Sequence, residues 1–177
     1  MQNLLTYIKE LVGTPYVWWL EGESTLDKLS PFYANPDLTV PSTDRIKQLG
    51  TNCAGFINLL CRKVGAPIAG VKERDYYAGG TYVWYTFLKS KWKLHPIDMT
   101  KIYPVGTLLL TPYINPEYQG HVAVVTTPGT MKTLKISHSF STNGLVMDEP
   151  VEITHQILDT GYYTDTANME DWLPINI

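Results

Sequence analysis

The stretch "GTNCAGFINLLCRKVGAP", Gly50 to Pro67, holds both cysteines of the 177-residue chain and decides how the rest is read. Asn52 is a strong N-cap residue. At about 100° per residue, Phe56, Ile57, Leu60, Cys61 and Val64 share one stripe with Cys53, and Arg62 lies opposite. Gly65 and Pro67 end the pattern. The spacing predicts an amphipathic helix whose first residue is Cys53. A thiol there faces unpaired N–H groups and the positive end of the helix dipole, which favour the thiolate. Cys61, deep in the apolar stripe, reads as a small core residue. The two cysteines are separated by about 12 Å of helix, beyond the roughly 7 Å that a disulfide can bridge.

Outward from this helix, Leu4, Leu5, Ile8, Leu11 and Val12 predict an amphipathic helix over residues 3–12, stopped by Gly13 and Pro15. "GTPYVWW" leaves it as an extended segment. Residues 20–50 carry prolines at 31, 36 and 41 with no sustained period and read as a long loop insertion. "TYVWYTFLKS", 81–90, predicts a further helix, although its aromatics also suit a strand. Past Pro104 the pattern changes to short apolar runs, "GTLLLT" (106–111), "HVAVVTT" (121–127), "TLKISHSF" (133–140) and "LVMDEPVEI" (145–153). Helices followed by strands give an α+β fold, with helices segregated to one side of an antiparallel sheet.

The length suits one domain, residues 1–177. A net charge of -3 and a pI near 5.8 supply no basic stripe for phosphates, so nucleic acid is not the expected partner. No apolar run approaches a membrane span, and residues 1–20 lack the pattern of a secretory leader. The expectation is a chain made in the cytosol, or exported by a route that the sequence does not display.

His121 opens one apolar strand and His138 closes the next, sharing a face with Leu134 and Ile136 by alternation. A two-residue turn at Gly129-Thr130 would make the two histidines direct cross-strand partners, about 4.5–5.5 Å apart at Cβ. One imidazole then orients the other. A cysteine, a histidine base and a polar third residue are the parts of an acyl-transfer site.

In chain order, "GTPYVWW", "NCAGFINLLCRKVG", "YPVGTLLLTP", "GHVAVV" and "ISHSF" resemble the motifs of the NlpC/P60 cysteine peptidases, papain-like enzymes that mostly cleave peptide stems of bacterial cell walls. The resemblance implies a papain-like fold with N-terminal helices packed on an antiparallel β-sheet. It implies Cys53 as nucleophile, His121 as general base, His138 as the polar third member and Tyr16 approaching the thiol. The backbone N–H of Cys53 would help to bind the oxyanion. It also implies a peptide or peptidoglycan-fragment substrate and no cofactor. Where the family has Asp-Cys-Ser-Gly, this chain has Asn52-Cys53-Ala54-Gly55, and the interval from Tyr16 to Cys53 is longer than usual.

Two other readings stand beside this one: a deamidase, transglutaminase-like acyltransferase or isopeptidase with the same chemistry, and a non-catalytic binding or structural module. A wall hydrolase without a leader implies delivery by a phage particle or a secretion machine, and hence a delivery or virion partner. Trp18, Trp19, Tyr76, Tyr77, Tyr82, Trp84, Tyr85 and Trp92 are aromatics of core or half-buried surface, with a minority reaching a ligand. His95 and His155 have no second ligand at metal spacing, so no metal is expected.

Overall fold

The computed structural model describes residues 2–17, 40–73, 78–115, 118, 120–157 and 163–174. Trp18, Trp19, Tyr76, Tyr77 and most of the loop expected at 20–50 lie outside the described residues.

Helix α1, Gln2–Leu11, buries Leu4, Ile8 and Leu11, as their spacing requires. Within the expected loop, Thr43–Leu49 forms a short helix, α2, capped by the Ser42 hydroxyl, which accepts from the Arg45 N–H. Helix α3, Cys53–Val64, starts and stops where the sequence places it, with Asn52 as N-cap and left-handed Gly65 as C-cap. It is buried on more than one face. Leu59 is fully enclosed and Arg62 is also buried, so the expected polar side of α3 is covered. Cys61 is enclosed, with its thiol 3.8 Å from the Trp172 carbonyl. Helix α4, Thr81–Ser90, fills the position read for it; its Trp84 is buried and donates to Asn58 Oδ1 at 2.9 Å.

The remaining elements are β1 (His95–Pro96), β2 (Leu108–Thr111), β3 (His121–Thr127), β4 (Lys135–Phe140), β5 (Gly144–Pro150), α5 (Val151–Ile157), β6 (Asp165–Ala167) and α6 (Met169–Trp172). The strands form one sheet in the order β1-β6-β2-β3-β4-β5, with every neighbouring pair antiparallel. The chain is therefore α+β with a six-stranded antiparallel sheet and a few helices. Leu108, Leu110, Val122 and Val124 pack with Phe56, Leu60 and Trp84 of α3 and α4 on one face. Leu109, Ala123, Val125 and Ile136 pack with Tyr103, Met131, Val151 and Tyr163 on the other. Val151 belongs to α5, so the helices are not confined to one side.

Two strand details depart from the sequence reading. Gly129 is not the corner of a two-residue turn: it pairs with Tyr103 through hydrogen bonds of 2.8 and 3.2 Å, and the chain turns over Thr130–Leu134 instead. The β3–β4 register consequently shifts by two residues, pairing Val124 with Ser137 and setting His121 diagonal to His138. A two-residue shift preserves facing, so both histidines remain on one side. The last strand also stops at Pro150 and Val151 begins α5, because proline cannot donate to the ladder and suits a helix start.

Candidate active site

Cys53 is positioned by the extended turn before it. Thr51 donates its N–H to the Pro15 carbonyl (2.8 Å), and its carbonyl accepts from Val17 N–H (3.2 Å) and from the Ser139 hydroxyl of β4 (2.8 Å). The segment carrying Tyr16 is thus bridged to Thr51, two residues before Cys53, with the Tyr16 side chain half-buried. Gly50 adopts φ 80, and a Cβ there would stand 2.8 Å from the Pro15 carbonyl oxygen, so this close approach requires glycine. Asn52 Oδ1 then accepts from the Gly55 N–H at 2.7 Å, closing the first turn of α3.

The sulfur of Cys53 faces three backbone N–H groups, those of Val122, Ala54 and Cys53 itself. They favour the thiolate, yet burial outweighs them and the thiol is pushed up to about 11. The helix start and a histidine base together predict an ionised nucleophile from the sequence. The sulfur instead rests as a thiol, because desolvation of an anion at an 8% exposed residue outweighs a partial charge at a helix end.

His121 follows Gly120, whose φ of 75 turns the chain into β3 where a Cβ would lie 2.7 Å from the Thr111 carbonyl oxygen. Its Nε2 is 2.7 Å from Nδ1 of His138, with the rings nearly perpendicular at 86°. Continuing the β3–β4 register sets Phe140 opposite His121, and their rings make an edge contact at 5.3 Å. Tyr163 lies 6.0 Å from the His121 ring, and its hydroxyl is pushed well above its usual range, first by burial and then by the charge of Cys53 as thiolate. Tyr163 therefore lies near the imidazole and within electrostatic reach of the sulfur.

The sequence reading missed the next member. His138 Nε2 is 2.7 Å from Glu149 Oε2, which also accepts from the Thr154 hydroxyl at 3.2 Å. The His138 hydrogen bond, the largest cause, together with hydrogen bonds from Thr154 and Asn143, holds the Glu149 carboxyl below the usual carboxylate range. Glu149 reaches this face through a bulge. The β4–β5 register slips between Ile136 and His138, and Asp148 adopts φ 59 while its carboxylate accepts from Thr126 and Thr127. A bulge inserts one residue and reverses the alternation.

The hydrogen-bond roles follow from the inventory of donors and acceptors. An ionised carboxylate only accepts, so His138 carries its proton on Nε2. In the neutral ring Nδ1 is then an acceptor, and His121 donates to it from Nε2. Burial, the largest cause, pulls the His121 pKa well below 6.5, so it is a neutral imidazole, and with its proton on Nε2 its Nδ1 is unprotonated. The chain Glu149–His138–His121 ends in a free base nitrogen.

His95 lies in β1 and pairs with Thr166, while His155 belongs to α5. Among the described residues no group of three or more His, Cys, Asp or Glu is placed to hold a metal ion. No family model matches the chain, and neither a curated protein nor a solved structure shows significant similarity to it. What fold and site define together is an α+β protein with a His–His–Glu relay and a buried thiol at a helix start, the sulfur meeting the N–H of Val122, next in chain to His121.

Proposed function

We propose that the protein is a thiol hydrolase that cleaves an amide bond in a peptide, with Cys53 as nucleophile, His121 as general base and acid, and His138 as the orienting member. The observation that carries this reading is the unbroken relay from Glu149 through His138 to His121, whose chain neighbour Val122 directs its N–H at the buried Cys53 sulfur. The Cys53 S–H proton passes to His121 Nδ1 as sulfur bonds to the carbonyl carbon. The resulting imidazolium is stabilised through His138 by the Glu149 carboxylate. Negative charge on the carbonyl oxygen is met by first-turn N–H groups of α3. Collapse breaks the C–N bond, the amine leaves with the proton from His121, and water activated by the same nitrogen hydrolyses the thioester.

Starting from neutral thiol and neutral imidazole makes the base act during attack, in the manner of a serine hydrolase. The resemblance of the motif order to NlpC/P60 peptidases directs the substrate to peptide stems of the bacterial wall, within a papain-like fold. Mass spectrometry of wall fragments after incubation with the protein, and with Cys53→Ala, tests this. A new amine and carboxylate pair that depends on Cys53 is expected, and intact fragments in both reactions would sink the wall-peptide reading. Labelled amines added to the same reaction reveal transfer in place of hydrolysis.

A further inference from the structure

Two described residues other than glycine have positive φ, Asp148 and Trp92. The bulge and its threonine hydrogen bonds account for Asp148. Trp92, at φ 58, follows the end of α4, where Lys93 N–H bonds the Leu88 carbonyl (3.0 Å) and Trp92 N–H bonds the Lys89 carbonyl (3.1 Å). That is the Schellman pattern, whose left-handed position is normally glycine. A tryptophan there sets its Cβ against the following carbonyl, and at 89% exposure it gains no packing in return. Neither backbone preference nor core burial accounts for the residue, and strain of this kind marks functional sites.

The surroundings state the chemistry of the partner. Lys91 Nζ stands 4.0 Å over the Phe87 ring and Lys89 Nζ 5.0 Å over Tyr85, both rings half-buried. Lys93 pairs with Asp171 at 2.9 Å. Among the described residues Lys89 and Lys91 have no carboxylate within salt-bridge distance, although Asp165 acts on Lys89 from further away. We propose that the C-terminal turn of α4 is a peripheral contact for an anionic lipid surface, with the Trp92 indole at headgroup depth and Lys89 and Lys91 against the lipid anions. Tryptophan favours that interface, and lysines near an anionic leaflet add attraction while their stems lie on apolar surface. A soluble polyanion would be served by the lysines alone and gives no reason for an indole held in a strained turn. No described helix is long and apolar enough to cross a membrane, so the contact is one of surface adsorption.

The test is sedimentation of the full chain with vesicles of phosphatidylcholine alone and of phosphatidylcholine mixed with phosphatidylglycerol. Binding is expected only to the anionic vesicles, weakening with added salt. Trp92→Gly should lower partitioning roughly tenfold or more and, by relieving the turn, raise the melting temperature by roughly 2–4 °C. Joint Lys89→Gln and Lys91→Gln changes should weaken binding by roughly tenfold or more. Cys53→Ala should bind vesicles like the unmodified chain, which separates this contact from hydrolysis. Equal partitioning of Trp92→Gly, a lower melting temperature in that variant, or capture by polyglutamate without vesicle binding would each overturn the proposal.

Discussion

At the residue scale, the site rests with Cys53 as a neutral thiol and His121 as a neutral imidazole, and this is open to measurement. Alkylation of Cys53 by iodoacetamide should climb about tenfold per pH unit through pH 9 without levelling off near pH 6, because thiolate is scarce below a value of about 11. A plateau near pH 6 would mean a preformed ion pair instead. Within the relay, His138 only accepts from His121, so an amide oxygen at 138 can stand in for its Nδ1. In the proposed mechanism His121 carries a proton between sulfur and leaving group, which an amide cannot do. His121→Gln is therefore expected to be nearly inactive, His138→Gln to keep measurable turnover and His138→Ala to fall between them, as measured by kcat. Glu149→Gln removes the anion that stabilises the imidazolium, so kcat should fall by roughly 10- to 100-fold. The acid limb of kcat/KM should move to lower pH in that variant, because the carboxylate no longer favours the imidazolium of His121 through the relay. Loss of activity with an unmoved acid limb would reduce Glu149 to a structural residue.

At the scale of elements, the sequence carried far into the fold because α3 is written in local chemistry: a cap at Asn52, an apolar stripe and a Gly65 stop need nothing from elsewhere in the chain. The β3 and β4 runs were legible for the same reason, their alternation fixing which residues share a face. Register was not legible, because whether Gly129 turns or pairs depends on Tyr103, which lies 26 residues earlier. Glu149 was hidden by the same kind of cause. Strict alternation from Val146, the partner of His138, assigns residue 149 to the opposite face, and only the bulge at Asp148 returns it. The short α2 and β6 bury too few residues to leave a period. Glycines mark where the two halves of the site are fixed, Gly50 ahead of Cys53 and Gly120 ahead of His121. Gly120→Ala should cost about 1–3 kcal/mol of stability, because its Cβ meets the Pro112–Tyr113 backbone, and should lower kcat by displacing His121. Denaturant unfolding and turnover measured on the same variant check both.

Across the whole molecule, the groups that build the site also shape stability against pH, with opposite signs on the two sides. Burial holds His121 neutral in the folded chain, so its folded pKa lies below the unfolded value near 6.5. As pH falls below about 6.5 the unfolded chain takes up a proton that the native chain refuses, and stability declines until the folded value is passed. Glu149, also depressed, contributes stability above its unfolded pKa that is lost as pH falls further, through its folded value. On the alkaline side the sign reverses. Cys53 rises from 9.0 to about 11, so its contribution is full below about 9 and is lost as pH climbs through about 11. A rise of that size corresponds to roughly 2–3 kcal/mol of stability. Cys61, Tyr7 and Tyr163, all raised by burial, steepen the same limb. The melting temperature should therefore be highest between about pH 6.5 and 9. His121→Gln should remove the first acid step while leaving the alkaline limb in place, and Cys53→Ala should soften the alkaline limb without touching the acid one. A thermal melt series across pH for the three proteins decides the matter. If His121→Gln leaves the decline below pH 6.5 unchanged, the imidazole is solvated in the folded chain, and the neutral base required by the relay is not there.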